Sequence, residues 1–460
     1  MSELRKDSLS FLETLGQSVA NVSPTLTPAL SIAVVAGTAG TGSWFVYLLA
    51  TIAMLVVGVN VGKLSRKIPA AGSFFLYVSR TLGPSWGMLS GWSMLFAYLM
   101  TAMALTVSVS IFVKTMLTNL GIVWAPTNIG FYSLVSLLIW YLSARDIRIS
   151  SRIGLTLESI SVIIIVGVCV MVLVNHGFAL DMKQITMEGL APSAVPQAIV
   201  FGIFAFVGFE SAATLAKETR NPEVTIPRAI NWTAIASGLF FVFTTYVVTM
   251  GFNDDITKLG SSTSPLADIL SGHSPLITAF VYFGASISAF ACALASLNAF
   301  GRLLFSLGRY QFVHQSMGMV HAEHKTPHVA LALGAVINFV VCCAFSAAGA
   351  ETDVFGWYGT LASFGFIVVY LLCSICAPLY LARLGEARKA DYIFGGLGVV
   401  LMIGAIVGSL YPIPAYPLNL LPYIFLAYLA VGVAWFFVLK FRAPQTLLGI
   451  EHDMEVAGEA

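Results

Sequence analysis

The chain reads as a succession of apolar windows, each about 20 residues long, joined by short polar turns. That is the length a helix needs to cross a bilayer. About twelve windows are predicted, at 14–37, 43–62, 85–113, 128–144, 153–174, 194–216, 230–251, 276–301, 329–348, 354–379, 393–410 and 420–439. The short alternating strands of a membrane barrel are not part of the pattern. Two windows are interrupted near their middles. The first reads GQSVANVSPTLTPAL over residues 16–30, and the sixth reads FAFVGFE over residues 204–210. Proline removes a backbone donor and clashes with the preceding turn, so Pro24 and Pro28 predict an opening around Ala20, Asn21, Val22 and Ser23. Gly208, after Val207, is the predicted break in the sixth window. N–H groups freed at such breaks favour a carboxylate, and freed carbonyls favour an ammonium or another cation. Phe204 and Phe206 flank the second break and are candidates to cover a bound ammonium or alkyl chain, packing being the alternative role.

The interrupted windows lie five apart in order. That spacing suggests two inverted repeats of five helices around a central site. The expected division is one transporter domain over 1–440, with repeats at about 14–174 and 194–379, two extra helices at about 393–439, and a tail at 441–460. An all-α integral membrane fold with discontinuous first and sixth helices is therefore expected.

Composition agrees: 58% of the 460 residues are hydrophobic and only 10% are charged. Soluble proteins carry about 25% charged residues, so lipid is the expected solvent here. Met1–Ser10 is polar and is followed by no cleavable signal pattern. With a cytoplasmic N-terminus, every Lys and Arg except Lys114, Lys183 and Lys258 falls on the inner side, as the positive-inside rule requires. Both termini are then expected in the cytoplasm. The six cysteines all lie in apolar segments and read as packing residues; Cys373 and Cys376 form a CxxC with no His or acid beside it. The histidines fall in loops or in the tail and offer no metal-ligand set. No phosphate-binding glycine loop and no catalytic constellation is present, so neither enzyme chemistry, nor a cofactor, nor ATP drive is expected. A net charge of +1 carries no nucleic-acid footprint. The expected partner of these windows is the bilayer itself.

Two acids lie inside predicted spans. An ionisable residue at that depth is expensive and marks a transport path or proton relay. Glu210 follows the break in the sixth span, and Glu158 lies in LTLESISVIIIVG of the fifth. Desolvation among helices favours the neutral carboxyl, which is what a proton carrier needs. Both are candidates for proton coupling. Glu210 has the alternative of bracing the sixth span through hydrogen bonds. Glu158, little more than a turn from Arg152, has the alternative of pairing with the inner arginines. Weaker polar candidates are Thr101, Ser286, Ser288, Ser296, Tyr358 and Ser363.

Three stretches together resemble the amino acid–polyamine–organocation permeases, over most of the chain. One is Gly208-Phe209-Glu210 with Glu218, Asn221-Pro222 and Ile226-Pro227-Arg228-Ala229-Ile230; a second is Pro69-Ala70-Ala71-Gly72-Ser73, Tyr77, Leu82-Gly83-Pro84 and Gly91-Trp92. The third is Arg302, Phe305, Gly308-Arg309, His321 and Lys325-Thr326-Pro327-His328 with Ala330. The resemblance implies a leucine-transporter-type fold with substrate between the breaks, flanked by spans three and eight. That adds Tyr98 to the candidate substrate residues. Some relatives place a lysine in the fifth span near the position of Glu158. Many relatives also open the first span with a Gly-Ser-Gly type sequence, whereas here it is Ala20-Asn21-Val22-Ser23-Pro24. Pro24 cannot donate, so Asn21 and Ser23 would act through their side chains. The leading expectation, implied by the resemblance, is a proton-coupled permease that imports an amino acid or small amine by alternating access across the cytoplasmic membrane. An obligate exchanger, or a ligand sensor on a transporter fold, are the alternatives.

Overall fold

The computed structural model of the chain describes residues 7–69, 73–122, 127–145, 147–190 and 194–442. The expected tail beyond Arg442, and Ala70-Ala71-Gly72 of the second motif, lie outside the described residues. Every predicted window is occupied by helix. The first is split into α1 (Phe11–Val22), a short π-helical turn (Thr27–Ser31) and α2 (Ile32–Ala39). Then follow α3 (Ser43–Lys67), α4 (Ser73–Leu82), α5 (Pro84–Asn119), α6 (Asn128–Ala144) and α7 (Ile147–Asn175). A short α8 (Met182–Ile185) leads to the sixth window, split into α9 (Val195–Phe204) and a 3₁₀ segment (Ser211–Leu215). The rest is α10 (Pro222–Gly251), the loop helices α11 (Ile256–Ser261) and α12 (Pro265–Ile269), α13 (Pro275–Arg309), α14 (His328–Phe345), α15 (Glu351–Arg383), α16 (Lys389–Leu410) and α17 (Leu421–Arg442). Nine helical stretches among the described residues are long and apolar enough to cross a membrane. One of them, Phe11–Lys67, holds the first two windows, while Asn128–Ala144 is shorter.

Several helices outrun their apolar windows. α3 continues to Lys67 and α13 to Arg309, because their basic last turns complement the negative C-terminal end of the helix dipole. Starts are set by prolines in the first turn, as at Pro84, Pro222 and Pro275, where the missing N–H has no helical partner to lose. At α1, the Ser10 amide donates to Glu13 Oε2 at 2.7 Å, half of a capping box.

The most extensive packings join windows five apart: α5 with α13, and α3 with α10. α15 closes against α5, where a side chain on Gly365 would come within 2.7 Å of the Ser93 carbonyl, so only glycine permits that approach. α16 and α17 stand outermost and leave Leu397, Val400, Ile424 and Leu426 exposed, an apolar face suited to lipid. The centre, formed around α5 and α13, is buried, and the two interrupted helices meet there.

Candidate functional site

The first break lies slightly later than its sequence predicts. Ala20, Asn21 and Val22 are still helical, and the chain leaves the helix at Ser23, which sits at φ 49°. The reason is Pro24, whose ring disfavours the α conformation for the residue before it. Ser23 N–H still reaches the Val19 carbonyl at 3.2 Å, and Leu26 N–H donates to Ser23 O at 3.0 Å. The second break opens before the predicted Gly208, because α9 already ends at Phe204. After Phe204 the chain runs through three-residue turns, and Gly208 adopts φ +92°, a conformation that disfavours every residue with a side chain.

The two breaks touch. A Cβ on Gly208 would lie 2.3 Å from Asn21 Nδ2 and 2.5 Å from Asn21 Cγ, so the glycine makes room for the amide. Asn21 is fixed from α13: Ser296 Oγ donates to Oδ1 at 2.5 Å, and the Cys292 thiol donates to the Asn21 carbonyl at 2.9 Å. Asn21 Nδ2 is buried without a hydrogen-bond partner. An unmatched buried donor is costly, and a ligand acceptor would relieve it.

Glu158 sits beside the first break, fully buried, and bridges three helices. Its Oε1 accepts from the Thr25 amide at 3.2 Å and Thr25 Oγ1 at 3.4 Å, and its Oε2 accepts from Ser288 Oγ at 2.5 Å. Ser288 Oγ is also 2.7 Å from Ser23 Oγ. The alternative pairing with the inner arginines is not made: Arg152 binds Glu13 at 2.6 Å instead. No basic side chain among the described residues bonds Glu158.

Glu210 forms a separate group just after the second break. Tyr98 of α5 donates to its Oε1 at 3.0 Å and Tyr370 of α15 to its Oε2 at 2.5 Å. All three are fully buried, so the acid and the two phenols tie spans three, six and ten into one layer. Beneath it lies a second layer. Arg302 of α13 pairs with Glu218 through Nε at 2.6 Å and Nη2 at 3.2 Å, both side chains being buried. The segment before α1 covers this pair: Ser8 and Leu9 amides donate to Glu218 O at 2.8 and 2.9 Å, and the Arg220 amide donates to Leu9 O at 2.9 Å.

The remaining candidates divide. Val22 and Val207 are buried near the breaks. Phe204 lines a small cavity of about 20 Å³ with Ser31, Val34, Phe355 and Gly359. Phe206 packs edge-on against Phe241 at 4.9 Å, and Ala20 packs against Gly154 and the alanines of α13. Thr101, Ser286 and Ser363 bond carbonyls of their own helices, and Tyr358 bonds Val341 O. Sequence reading assigned no role to Tyr370 or Thr25, and it named Arg302 and Glu218 only in separate motifs, not as a pair. Arg302 carried a usable signal, a lone guanidinium in the run NAFGRLLF. Tyr370 carried none, since buried tyrosines are ordinary in membrane helices.

A helical membrane protein with two facing helix breaks, an unmatched donor between them and buried acids beside them belongs to the transporter class. The chain matches the amino acid permease family over residues 15–457 and is a member of it. It is similar to the low-affinity putrescine importer PlaP of Escherichia coli K12, at 28% identity over 45% of this chain and 46% of that protein. It is also similar to the branched-chain amino acid permease BcaP of Bacillus subtilis, at 24% identity over 64% of this chain and 65% of the relative. A D-serine/D-alanine/glycine transporter of Escherichia coli O6:H1 matches at 24% identity over 54% and 51%. The matched stretch thus spans about half to two thirds of the length of these curated relatives.

Proposed function

We propose that this chain is a secondary carrier that imports an amino acid or small amine across the cytoplasmic membrane by alternating access, coupled to protons. Both termini would face the cytoplasm. The observation that carries the reading is the pair of touching breaks, with Asn21 Nδ2 unmatched against Gly208 and the carboxyls of Glu158 and Glu210 held by neutral donors alone. A buried carboxyl with no basic partner gains and loses a proton at lower cost than one locked in an ion pair, because no opposite charge fixes its ionised form. The printed functions of the relatives, a putrescine importer and a branched-chain amino acid permease, support amines and amino acids as the substrate range. Substrate would bind between the breaks, with Asn21, Val22, Ser23, Val207 and Gly208 around it and Phe204 on its outer side. The Tyr98–Glu210–Tyr370 layer and the Arg302–Glu218 pair would close the inner path.

The test is uptake driven by an inward proton gradient in proteoliposomes, for Glu158→Gln and Glu210→Gln. At least one variant is expected to lose accumulation above equilibrium while keeping counterflow exchange. Full gradient-driven accumulation by both rejects proton coupling through these acids.

A further inference from the structure

We propose that the Ser288 hydroxyl is a polarity switch: it passes the protonation state of Glu158 to Ser23, which becomes a donor for a substrate carboxylate only when Glu158 is protonated. The inference rests on the proton-coupled reading above and adds to it the order of events and the substrate class.

A hydroxyl has one hydrogen to give. With Glu158 ionised, Ser288 gives its hydrogen to Oε2, across 2.5 Å. Ser288 then receives the Ser23 hydrogen across 2.7 Å, and Ser23 has nothing left to offer. When Glu158 takes up a proton, that proton goes to Oε2, because Oε1 already faces two donors, the Thr25 amide and Thr25 Oγ1. The new carboxyl O–H donates to Ser288, Ser288 turns its hydrogen to Ser23, and the Ser23 hydrogen is released. No bond other than O–H is involved, and the one proton gained ends as one free donor at the break. Ser23, Ser288 and Glu158 are each fully buried, so substitute partners from bulk water are not at hand.

The backbone at this break makes the released hydroxyl matter. Pro24 has no N–H, the Thr25 amide is held by Glu158, and the Leu26 amide is held by Ser23 O. These amides are therefore not offered to a ligand. The donors left are Asn21 Nδ2, unmatched in this structure, and Ser23 Oγ–H after protonation. Two donors and no freed acid suit an acceptor group, a carboxylate, more than a second ammonium. An α-amino acid fits, and a diamine lacking a carboxylate does not. Other titratable groups do not intrude. The Cys292 thiol on α13 faces Glu158. Arg152 on the same helix and Glu13 on α1 are bound to one another, Arg302 on α13 is bound to Glu218, and Arg145, Glu223 and Arg228 are exposed at the inner ends of α6 and α10.

The experiment measures ligand binding by thermal shift on the purified full chain at pH 8 and pH 6, with the twenty amino acids and 1,4-diaminobutane as probes. Wild type is expected to bind at least one amino acid roughly tenfold tighter at pH 6. Ser288→Ala is expected to abolish that difference while keeping binding at pH 8, Ser23→Ala to lose the gain at pH 6, and Ser288→Thr, which retains the hydroxyl, to keep the difference. Stabilisation by the diamine alone, by no amino acid, or equally at both pH values overturns the proposal. If Glu158→Gln flattens the pH dependence but both serine-to-alanine variants retain it, the relay fails and the proton-coupled reading stands. If Glu158→Gln retains it, the relay fails together with the assignment of the proton to Glu158.

Discussion

Gly208→Ala is the sharpest perturbation the site offers. Two costs are built into it. At φ +92°, a residue with a Cβ is strained by about 1–2 kcal/mol. The new methyl would also lie 2.3 Å from Asn21 Nδ2, 2.5 Å from Cγ and 3.0 Å from Cβ, so the amide has to swing away. Overpacking of this kind costs about 1–3 kcal/mol. The sum, about 2–5 kcal/mol, is a large share of a typical folding stability of about 5–15 kcal/mol. It also pushes the unmatched Asn21 Nδ2 off its station. Gly202→Ala is the control: its methyl meets Ala50 Cβ at 3.2 Å and Val46 Cγ1 at 3.3 Å, without positive φ. Thermal denaturation in detergent and counterflow in proteoliposomes are read together. Gly208→Ala is expected to melt lower than Gly202→Ala and to lose most counterflow. Combining Gly208→Ala with Asn21→Ala removes the two nearest clashing atoms, so a double-mutant cycle is expected to show about 1–3 kcal/mol of coupling. A Gly208→Ala protein as stable and as active as Gly202→Ala would refute the argument that the two breaks touch through this glycine.

Two further outcomes follow from charged pairs away from the breaks. Glu218→Ala leaves the Arg302 guanidinium buried without its partner and is expected to destabilise by about 3–5 kcal/mol, whereas Glu218→Leu with Arg302→Met recovers most of that loss in thermal denaturation. In the loop after α10, Asp254 is pushed up to about 6 by desolvation and by its hydrogen bond to the Asp181 carboxylate and that group's charge. A raised acid holds more protons folded than unfolded, so stability falls as pH rises through about 4 to 6 and is level above that. Asp254→Asn is expected to remove this decline from melting temperatures measured between pH 4.5 and 6.5. An unchanged decline would show that Asp254 does not cause it.

What the sequence made legible depends on the range over which each cause acts. Pro24 and Gly208 act on their own backbone, so both breaks were readable, and the first was displaced only because proline acts on the residue before it. Glu158 and Glu210 were readable as acids, since a carboxyl in an apolar run is an anomaly in itself. Their partners were not. Tyr370 is 160 residues from Glu210, and Ser288 is 130 residues from Glu158. Only the packing of α5, α7, α13 and α15 brings them together, and a serine or tyrosine on a membrane helix looks the same in sequence whether it bonds its own turn or a distant carboxyl. Phe206 shows the opposite limit: its position beside the break pointed to ligand, yet the fold turns its ring onto Phe241.

The α1 half of the first interrupted span and the Ser211–Leu215 half of the sixth are laced together along their whole length. Beyond the pairing of Ser8 and Leu9 with Glu218, Thr14 Oγ1 meets Thr219 Oγ1 at 3.2 Å, Ser211 Oγ donates to Gln17 O at 3.3 Å, and Ser18 Oγ accepts from the Ala212 amide at 2.9 Å. Four rungs tie the two half-helices into one piece between Ser23 and Gly208. In the proposed alternating-access cycle neither arm would move alone. Each swing would carry both arms past α13 together, and slow amide exchange at Leu9, Ala212 and Arg220 would mark them as one piece throughout the cycle.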